Sequence, residues 1–237
     1  MIDLKGKKAI VTGGGRGLGK AVALSLAAEG VHVAITGRNE ATMKGTVEEI
    51  KKHGVNACYA VFDVADEKAA TAGIQKLAEE LGGVDILINN AGIGDFGTLE
   101  EMSSEAWKKV IDVNLFGVYY AAQAVYPYMK SKNEGDIVNV ASTAGLKGGA
   151  GMSAYAASKA AVISLSQSMM AEWRKSNIRV MTLTPSTIAT DLTLGTLTDG
   201  NPERVLQPED FAQWVTDMLK MNRRALIANG SIFSTNP

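Results

Sequence analysis

Apolar runs of strand length alternate along this chain with longer amphipathic segments, and this alternation restricts the possible folds more than any other feature. The apolar runs consist mainly of Val, Ile, Leu and Ala without regular polar alternation, as in strands that are covered on both faces. Repeated strand–helix alternation predicts a parallel sheet with right-handed crossovers and helices on both sides. We therefore predict an α/β fold, with a doubly wound, seven-stranded parallel sheet, in a single domain that covers residues 1–237. The predicted strands are 8–12, 31–36, 55–62, 84–89, 137–141, 178–183 and 225–228, and the predicted helices are 17–29, 40–53, 67–81, 104–131, 153–176 and 209–221.

The first predicted strand leads into a glycine-rich turn at residues 12–19, and a helix follows the turn. Glycines in this position permit a tight turn, close backbone approach to a pyrophosphate and helix-to-sheet packing. The free N–H groups and the positive dipole end of the following helix attract the same anion. The turn therefore predicts a Rossmann-like sheet that binds a dinucleotide; its alternative is a purely structural role. The expected cofactor contacts here are Gly13, Gly15, Arg16, Gly17, Leu18 and Gly19.

The end of the second predicted strand distinguishes NAD from NADP. A carboxylate there binds the ribose hydroxyls and repels a 2′-phosphate, but this chain has Arg38 at that place. Arg38 and Arg16 offer guanidinium groups, whose geometry suits a 2′-phosphate. We therefore predict NADP(H) as the cofactor; the alternative is a pair of solvated arginines. Asp63 and Val64 end the third strand and are expected at the adenine, with a competing role for Asp63 as the cap of the next helix.

Three residues beyond the fifth predicted strand form a candidate catalytic group. Ser142 follows that strand directly, whereas Tyr155 and Lys159 lie four residues apart at the start of the next helix and so share one face. A neighbouring positive charge favours the phenolate form of a phenol, which brings the pKa of Tyr155 nearer to neutral pH for proton transfer. Ser142 is placed to hold a carbonyl oxygen against the tyrosine. Taken alone, a Tyr-x-x-x-Lys pair is also common on solvated helix faces.

In combination these motifs resemble those of the short-chain dehydrogenase/reductase family, in its NADP-preferring branch similar to bacterial 3-oxoacyl-[acyl-carrier-protein] reductases. The resemblance covers nearly the whole chain. The turn at residues 12–19 is similar to the family's Thr-Gly-x-x-x-Gly-x-Gly motif, and residues 89–92 are similar to its Asn-Asn-Ala-Gly segment. Ser142, Tyr155 and Lys159 have the spacing of the family's catalytic serine, tyrosine and lysine.

The resemblance implies that hydride passes from the nicotinamide to a ketone carbon while Tyr155 donates a proton to the developing alkoxide. It implies that Ser142 polarises the oxygen and that Lys159 lowers the pKa of the phenol and binds the nicotinamide ribose. It further implies that Asn114 holds a water in a proton relay, although Asn114 has the alternative role of satisfying backbone groups. The remaining cofactor contacts implied by the resemblance are Asn90, Ala91, Gly92, Tyr155, Lys159, Pro185, Ile188 and Thr190.

Two stretches depart from the family pattern. Ser186 stands where the family has a glycine after the sixth strand, which predicts an altered backbone path beside the nicotinamide. The segment between Thr190 and Gln207 is shorter than the family's substrate-covering helices, and the family's Asp-Gly-Gly ending is missing. We expect a 3-oxoacyl thioester as substrate; the alternative is a small ketone, diketone or sugar-like carbonyl. A catalytically silent NADP(H)-binding regulator is the alternative of another class.

The composition argues against several other classes of partner. A net charge of −1 gives no reason to expect nucleic acid. Cys58 and the two histidines lack neighbours at ligand spacing, so we predict no metal. No apolar run approaches the ~20 residues of a membrane span, and the charged start is unlike a signal peptide. We therefore expect no membrane partner and a cytoplasmic location.

The two longest predicted helices indicate protein partners. Small residues in them resemble the surfaces that pair related chains, so we predict a homotetramer. Basic residues at their ends lie where related reductases dock an acidic carrier protein, which gives weaker support for binding of acyl-carrier protein. The small residues are Ala154, Ala157 and Ala161, and the basic ones are Lys130, Lys132, Arg174 and Lys175.

Overall fold

The computed structural model describes residues 1–193 and 201–235, and its centre is one sheet of seven parallel strands. The strands are β1 (Lys8–Thr12), β2 (His32–Gly37), β3 (Ala57–Val61), β4 (Ile86–Asn89), β5 (Gly135–Val140), β6 (Ile178–Pro185) and β7 (Asn229–Ile232). They lie in the order β3-β2-β1-β4-β5-β6-β7. The order changes direction between β1 and β4, and such switch points are where ligands bind beyond the carboxyl ends of the strands.

Helices cover both faces of the sheet. They are α1 (Gly17–Ala28), α2 (Glu40–Lys51), α3 (Glu67–Leu81), α4 (Ser104–Ile111), α5 (Gly117–Lys132), α6 (Ser153–Trp173) and α7 (Pro208–Leu219). Side chains of α1, α2 and α7 form one buried cluster with the sheet, and side chains of α3, α5 and α6 form the other. The predicted Rossmann-like, doubly wound single domain is confirmed. Within the described residues, no helix has the length and apolar character needed to cross a bilayer.

Capping distinguishes the first helix from the next three. The side chains of Asn39, Asp66 and Ser103 cap α2, α3 and α4 by accepting hydrogen bonds from backbone N–H groups of the first turn. The residue before α1 is Arg16, which makes no side-chain capping bond. Helix N-termini leave backbone donors that need a partner, so the first turn of α1 keeps its N–H groups available beside the glycine turn.

The seventh strand was predicted at 225–228, and that position is wrong. The segment before β7 contacts the sheet through a side chain: the guanidinium of Arg179 donates hydrogen bonds to the carbonyls of Met221 and Ala225. Pairing with β6 begins only where the N–H of Thr182 donates to the Ala228 carbonyl, at 2.9 Å. The strand β7 that follows is short, and its residues alternate between exposed and half-buried.

The single helix predicted at 104–131 is interrupted. Residues Asp112–Phe116 form a π-helical turn that joins α4 to α5, and α5 continues past Pro127 to Lys132. A π-turn inserts one residue into the helical repeat and is frequent at functional sites. Here it contains Asn114, which is fully buried.

The amino edge of the sheet, opposite the switch point, is held by ion pairs, one of which is buried on both sides. Arg179 of β6 binds Asp136 of β5 through two hydrogen bonds, of 2.6 and 2.9 Å. Arg223 donates to the same carboxylate at 2.9 Å, and Lys132 pairs with Asp85. Arg179 also donates to the Leu219 carbonyl at the end of α7.

Candidate active site

A cleft of about 690 Å³ opens along the carboxyl edge of the sheet, where the expected ligand site lies. Of the four predicted catalytic residues, Ser142, Tyr155 and Lys159 line this cleft, whereas Asn114 lies behind its wall. All predicted cofactor residues line it: Gly13, Gly15, Arg16, Gly17, Leu18, Gly19, Arg38, Asp63, Val64, Asn90, Ala91, Gly92, Tyr155, Lys159, Pro185, Ile188 and Thr190. Sequence positions spread over most of the chain therefore meet at one edge.

The glycine turn after β1 is tied to the loop after β4. Thr12 Oγ1 accepts hydrogen bonds from the N–H groups of Asn90 and Ala91, at 3.1 and 3.0 Å. In return, Asn90 Nδ2 donates to the Thr12 carbonyl at 3.0 Å. Gly17 opens α1 with a φ of 52°, a left-handed conformation that favours glycine. The turn is thus rigid, and the uncapped N–H groups of α1 beside it fit the pyrophosphate of a dinucleotide.

The two predicted 2′-phosphate ligands both lie at the rim of the cleft and face carboxylates. Arg38 Nη1 is 3.6 Å from Asp63 Oδ2, and Arg16 Nη1 is 3.0 Å from Asp191 Oδ2. All four side chains are substantially exposed, and ion pairs of this kind contribute little stability. The competing role of Asp63 as the cap of α3 is wrong, because Asp66 caps that helix.

The candidate catalytic residues come from the end of β5 and the start of α6. Lys159 Nζ is buried, donates to the Val140 carbonyl at 2.8 Å, and lies 5.7 Å from the centroid of the Tyr155 ring. Ser142 Oγ accepts from the N–H of Ala144 at 3.1 Å, which starts a short 3₁₀ turn. A phenol, a hydroxyl and an ammonium therefore converge at one end of the cleft.

Burial decides the ionisation of the two titratable groups. It raises the pKa of the Tyr155 phenol, and a hydrogen bond with Ser142 acts in the opposite direction. Burial also lowers the pKa of Lys159 to about 8. The sequence predicted that Lys159 lowers the pKa of Tyr155; in the structure burial outweighs the hydrogen bond with Ser142, so that the pKa is raised on balance, and the ammonium donates to the Val140 carbonyl.

Asn114 fixes the loop after β4 against α6. Its Oδ1 accepts from the N–H of Ile93 at 2.8 Å, and its Nδ2 donates to the Ile93 carbonyl at 2.9 Å. Nδ2 also donates to Ser158 Oγ at 3.0 Å, and Ser158 donates to the Tyr155 carbonyl at 2.7 Å. The alternative role of Asn114, satisfying backbone groups, is thus observed, and the amide links the cleft wall to the helix turn that carries Tyr155.

Ser186, the departure from the family glycine, is accommodated without an unusual backbone path. Its N–H donates to the Ile232 carbonyl of β7 at 2.9 Å, which continues the pairing of β6. Among the described residues only Asn133 and Asn177 are non-glycine residues with positive φ. Ser186 therefore adopts a backbone conformation that any residue can take, and the altered path relative to the family stays a prediction. The Ser186 hydroxyl, however, is buried without a hydrogen-bond partner.

Sequence reasoning missed the supporting residues of the site. Ser158 is completely buried between Asn114 and the Tyr155 carbonyl, and its position directly before Lys159 was the available signal. The Val140 group is a backbone carbonyl, which the sequence cannot reveal, and Asp191 belongs to no recognised motif. Residues 194–200 of the predicted substrate segment lie outside the described residues. In the part of the chain that is described, no group of three metal-ligating side chains occurs.

The sheet topology, the glycine turn and the cleft together are those of a dinucleotide-binding protein. The family model described as short chain dehydrogenase matches residues 7–199. The chain therefore belongs to the short-chain dehydrogenase family, whose members are oxidoreductases that bind a nicotinamide cofactor.

Curated relatives and solved structures support this assignment. A 3-oxoacyl-[acyl-carrier-protein] reductase of Chlamydia muridarum is 40% identical over 193 residues, which cover 81% of this chain and 78% of the relative. A gluconate 5-dehydrogenase of Gluconobacter oxydans is 34% identical over 215 residues, covering 91% and 80%. A short chain dehydrogenase from Burkholderia cenocepacia in complex with NADP has a TM-score of 0.89 at 33% identity, covering 98% of both chains. An NAD⁺-bound xylitol dehydrogenase has the same TM-score at 27% identity, covering 98% and 100%.

Proposed function

We propose that this protein reduces a ketone to a secondary alcohol with NADPH, and that its substrate is a 3-oxoacyl thioester. The observation that carries the proposal is the convergence of Ser142, Tyr155 and Lys159 at one end of a cleft whose other end is a glycine turn. The relative named as a 3-oxoacyl-[acyl-carrier-protein] reductase supports the thioester as substrate.

The proposed chemistry assigns a separate task to each side chain. NADPH, when bound, supplies the hydride that reaches the carbonyl carbon. The phenol of Tyr155 donates its proton to the oxygen that becomes the alcohol. Its raised pKa keeps it protonated at neutral pH, as an acid must be before it acts. The Ser142 hydroxyl donates a hydrogen bond to the same oxygen, and the Lys159 ammonium stabilises the phenolate left behind.

The proton that Tyr155 loses must be replaced from solvent, and we propose that Asn114 takes part in this step. A Cβ built on Gly92 would lie 3.2 Å from Asn114 Oδ1 and 3.6 Å from Lys159 Nζ. Glycine at this position therefore keeps open the space between the amide oxygen and the ammonium. One lone pair of Oδ1 remains after its bond with Ile93, so Oδ1 can hold a water that hydrogen-bonds Lys159.

The proposed preference for NADP(H) rests on Arg38. Its guanidinium lies at the end of β2, where a carboxylate would favour NAD. The contact with Asp63 is long and exposed, so a 2′-phosphate can replace it at small energetic cost. Arg16, on the glycine turn, is the second proposed phosphate ligand.

The second candidate is reduction of a small ketone, diketone or sugar-like carbonyl by the same residues. It is supported by the similarity to gluconate 5-dehydrogenase, which is comparable in extent to that of the carrier-protein reductase. A third candidate, of a different class, is a regulator that binds NADP(H) without turnover.

We also propose a homotetramer that acts in the cytoplasm and receives the thioester from acyl-carrier protein. Phe116, in the π-turn, and Tyr119, in α5, are large aromatic side chains that are exposed in the single chain. Contact with another subunit would cover such surfaces. Light scattering that gives the mass of a 25.0 kDa monomer would contradict the tetramer.

The test of the function is an absorbance assay with separate measurement of NADPH binding. Protein and NADPH are mixed with acetoacetyl-N-acetylcysteamine, diacetyl and 5-ketogluconate in turn. The thioester is expected to be reduced with the highest kcat/KM. A higher value for diacetyl or 5-ketogluconate favours the second candidate. Tight NADPH binding without oxidation by any of the three favours the regulator.

A further inference from the structure

Two large apolar side chains flank the catalytic end of the cleft. The Phe96 ring packs edge-on against the Tyr155 ring, with 5.7 Å between centroids. Leu192, from the loop after β6, also lines the cleft. The two meet over Gly94, where a Cβ would lie 2.6 Å from Phe96 Cζ and 3.0 Å from Leu192 Cδ1. A side chain at residue 94 would separate them, so the glycine permits their convergence.

Hydrogen bonds fix the backbone both before and after Phe96 in the sequence. Before it, both backbone groups of Ile93 are bound by the Asn114 amide. After it, the N–H of Gly97 donates to the Gly151 carbonyl at 2.9 Å, which joins this loop to the one before α6. Phe96 nevertheless keeps 36% of its surface exposed, and Leu192 keeps 38%. Two partly exposed apolar side chains beside a reactive phenol, one of them on a fixed loop, indicate a surface that a ligand covers.

The charges around the cleft disfavour an anionic group next to Phe96. Among the described lining residues, Arg16, Arg38, Asp63 and Asp191 pair with one another at the rim by the glycine turn and β2. Lys159 is directed at the Val140 carbonyl. The charged residue next to Phe96 is Asp95, which is exposed and repels anions. An uncharged group is therefore the one that this end accepts.

We propose that Phe96 and Leu192 form an apolar clamp that determines specificity. The clamp selects carbonyl compounds in which an uncharged alkyl group is attached to the reacting carbon, and it covers that alkyl group while Tyr155 faces the oxygen. This inference rests on the proposed reductase function, but the clamp can be tested by binding as well as by turnover.

The experiment compares ethyl 3-oxohexanoate with ethyl 3-oxobutanoate, which differ only in the length of the alkyl group at the ketone. The wild type is expected to prefer the longer ester. Phe96→Ala should reduce that preference about tenfold, the scale on which apolar pockets distinguish such chains. The reduction should come from KM, and Leu192→Ala should act in the same direction with a smaller effect. Leu99→Ala, in the same loop but 72% exposed, is the matched control and should leave the preference unchanged.

Two readouts separate the clamp from its alternatives. If Phe96→Ala lowers kcat equally for both esters, the ring only positions Tyr155 and the clamp is refuted; an effect of Leu99→Ala equal to that of Phe96→Ala also refutes it. Ligand-observed NMR measures binding of both esters to the protein–NADP⁺ complex without turnover. A Phe96-dependent difference in affinity with no NADPH oxidation supports the clamp and refutes the reductase. Equal affinities in the wild type and in Phe96→Ala overturn the clamp.

Discussion

The two edges of the sheet use the same pair of residue types for opposite purposes. At the amino edge, Arg179 and Asp136 form a bidentate pair whose side chains are each 6% exposed. At the carboxyl edge, Arg38 and Asp63 approach only to 3.6 Å, with side chains 57% and 41% exposed. Breaking a buried pair leaves an uncompensated charge, whereas an exposed pair contributes little. The amino edge is therefore built for stability, and the carboxyl edge keeps its charged groups available to a ligand.

The same contrast extends to how completely other side chains are partnered or covered. The hydroxyl of Ser186, at the carboxyl edge, is buried without a partner, and the apolar ring of Phe96 is left partly exposed there. The guanidinium of Arg179, at the amino edge, has carboxylate or carbonyl partners for each of its nitrogens. Unsatisfied or uncovered groups persist where they serve function. Substitutions at the two edges should thus separate loss of activity from loss of stability.

The largest effect is expected from Tyr155→Phe. Removal of the phenolic hydroxyl removes proton donation, so kcat for ketone reduction should fall roughly 100- to 10,000-fold. NADPH affinity, followed by nucleotide fluorescence, and the urea midpoint should stay close to the wild-type values. Retention of most of the activity would mean that another group donates the proton. A large loss of stability would mean that the carboxyl edge also contributes to the free energy of unfolding.

At the amino edge, Arg179→Leu should have the converse effect. It leaves the Asp136 carboxylate buried with only Arg223 as partner, and loss of one member of a buried pair costs about 3–5 kcal/mol of the free energy of unfolding. Urea unfolding measures this change. In the fraction that remains folded, NADPH affinity should be unchanged.

The control for that prediction is the double variant Arg179→Leu with Asp136→Asn. Asp136→Asn alone completes the cycle. Because Arg179 and Asp136 share one interaction, the double variant should lose less stability than the sum of the two single losses. Additive losses would mean that the arginine acts through its bonds to the carbonyls of Leu219, Met221 and Ala225 and not through the ion pair.

The residues at the carboxyl edge could largely be predicted from sequence. Parallel strands end at a common edge, so locating each strand along the chain identifies the residues that meet there. The bounds of β1 and α3 were also predicted correctly, since glycine follows each of them closely. The π-turn was not predictable, because it depends on the bonds of Asn114 to Ile93 and Ser158, which are distant in sequence. β7 was misplaced because its short, polar sequence carries no strand signal, and its position depends on pairing with β6.

A smaller effect is expected from Arg38→Asp, which tests whether the exposed pair is kept for the cofactor. Loss of a charge-assisted bond to the 2′-phosphate should weaken NADPH binding roughly 10- to 100-fold. NADH, which lacks that phosphate, should lose much less, and fluorescence titration measures both. Lys44→Asp, on the exposed face of α2, is a control of equal charge change. Equal losses of NADPH and NADH affinity in Arg38→Asp would remove Arg38 from the phosphate site.

The smallest effect is expected in the pH dependence of kcat, which compares the ionisation of Tyr155 and Lys159, two groups at the carboxyl edge. The pKa of Tyr155 is raised, so the acid stays protonated as pH rises through neutrality. The pKa of Lys159 is lowered to about 8, so the ammonium is present below that pH and lost above it. Because the ammonium stabilises the phenolate formed on proton donation, kcat for reduction should be about tenfold lower at pH 9 than at pH 7.

The variant that identifies the titrating group is Lys159→Arg. A guanidinium remains charged throughout this range, so the kcat of this variant, whatever its absolute value, should show no step near pH 8. Persistence of the step would assign it to a group other than Lys159. A wild-type profile that stays level to pH 10 would mean that Lys159 remains charged in the working enzyme. The Val140 carbonyl and the bound nucleotide would then compensate for its burial, and the buried cation of this edge would be as well paired as the arginine at the other.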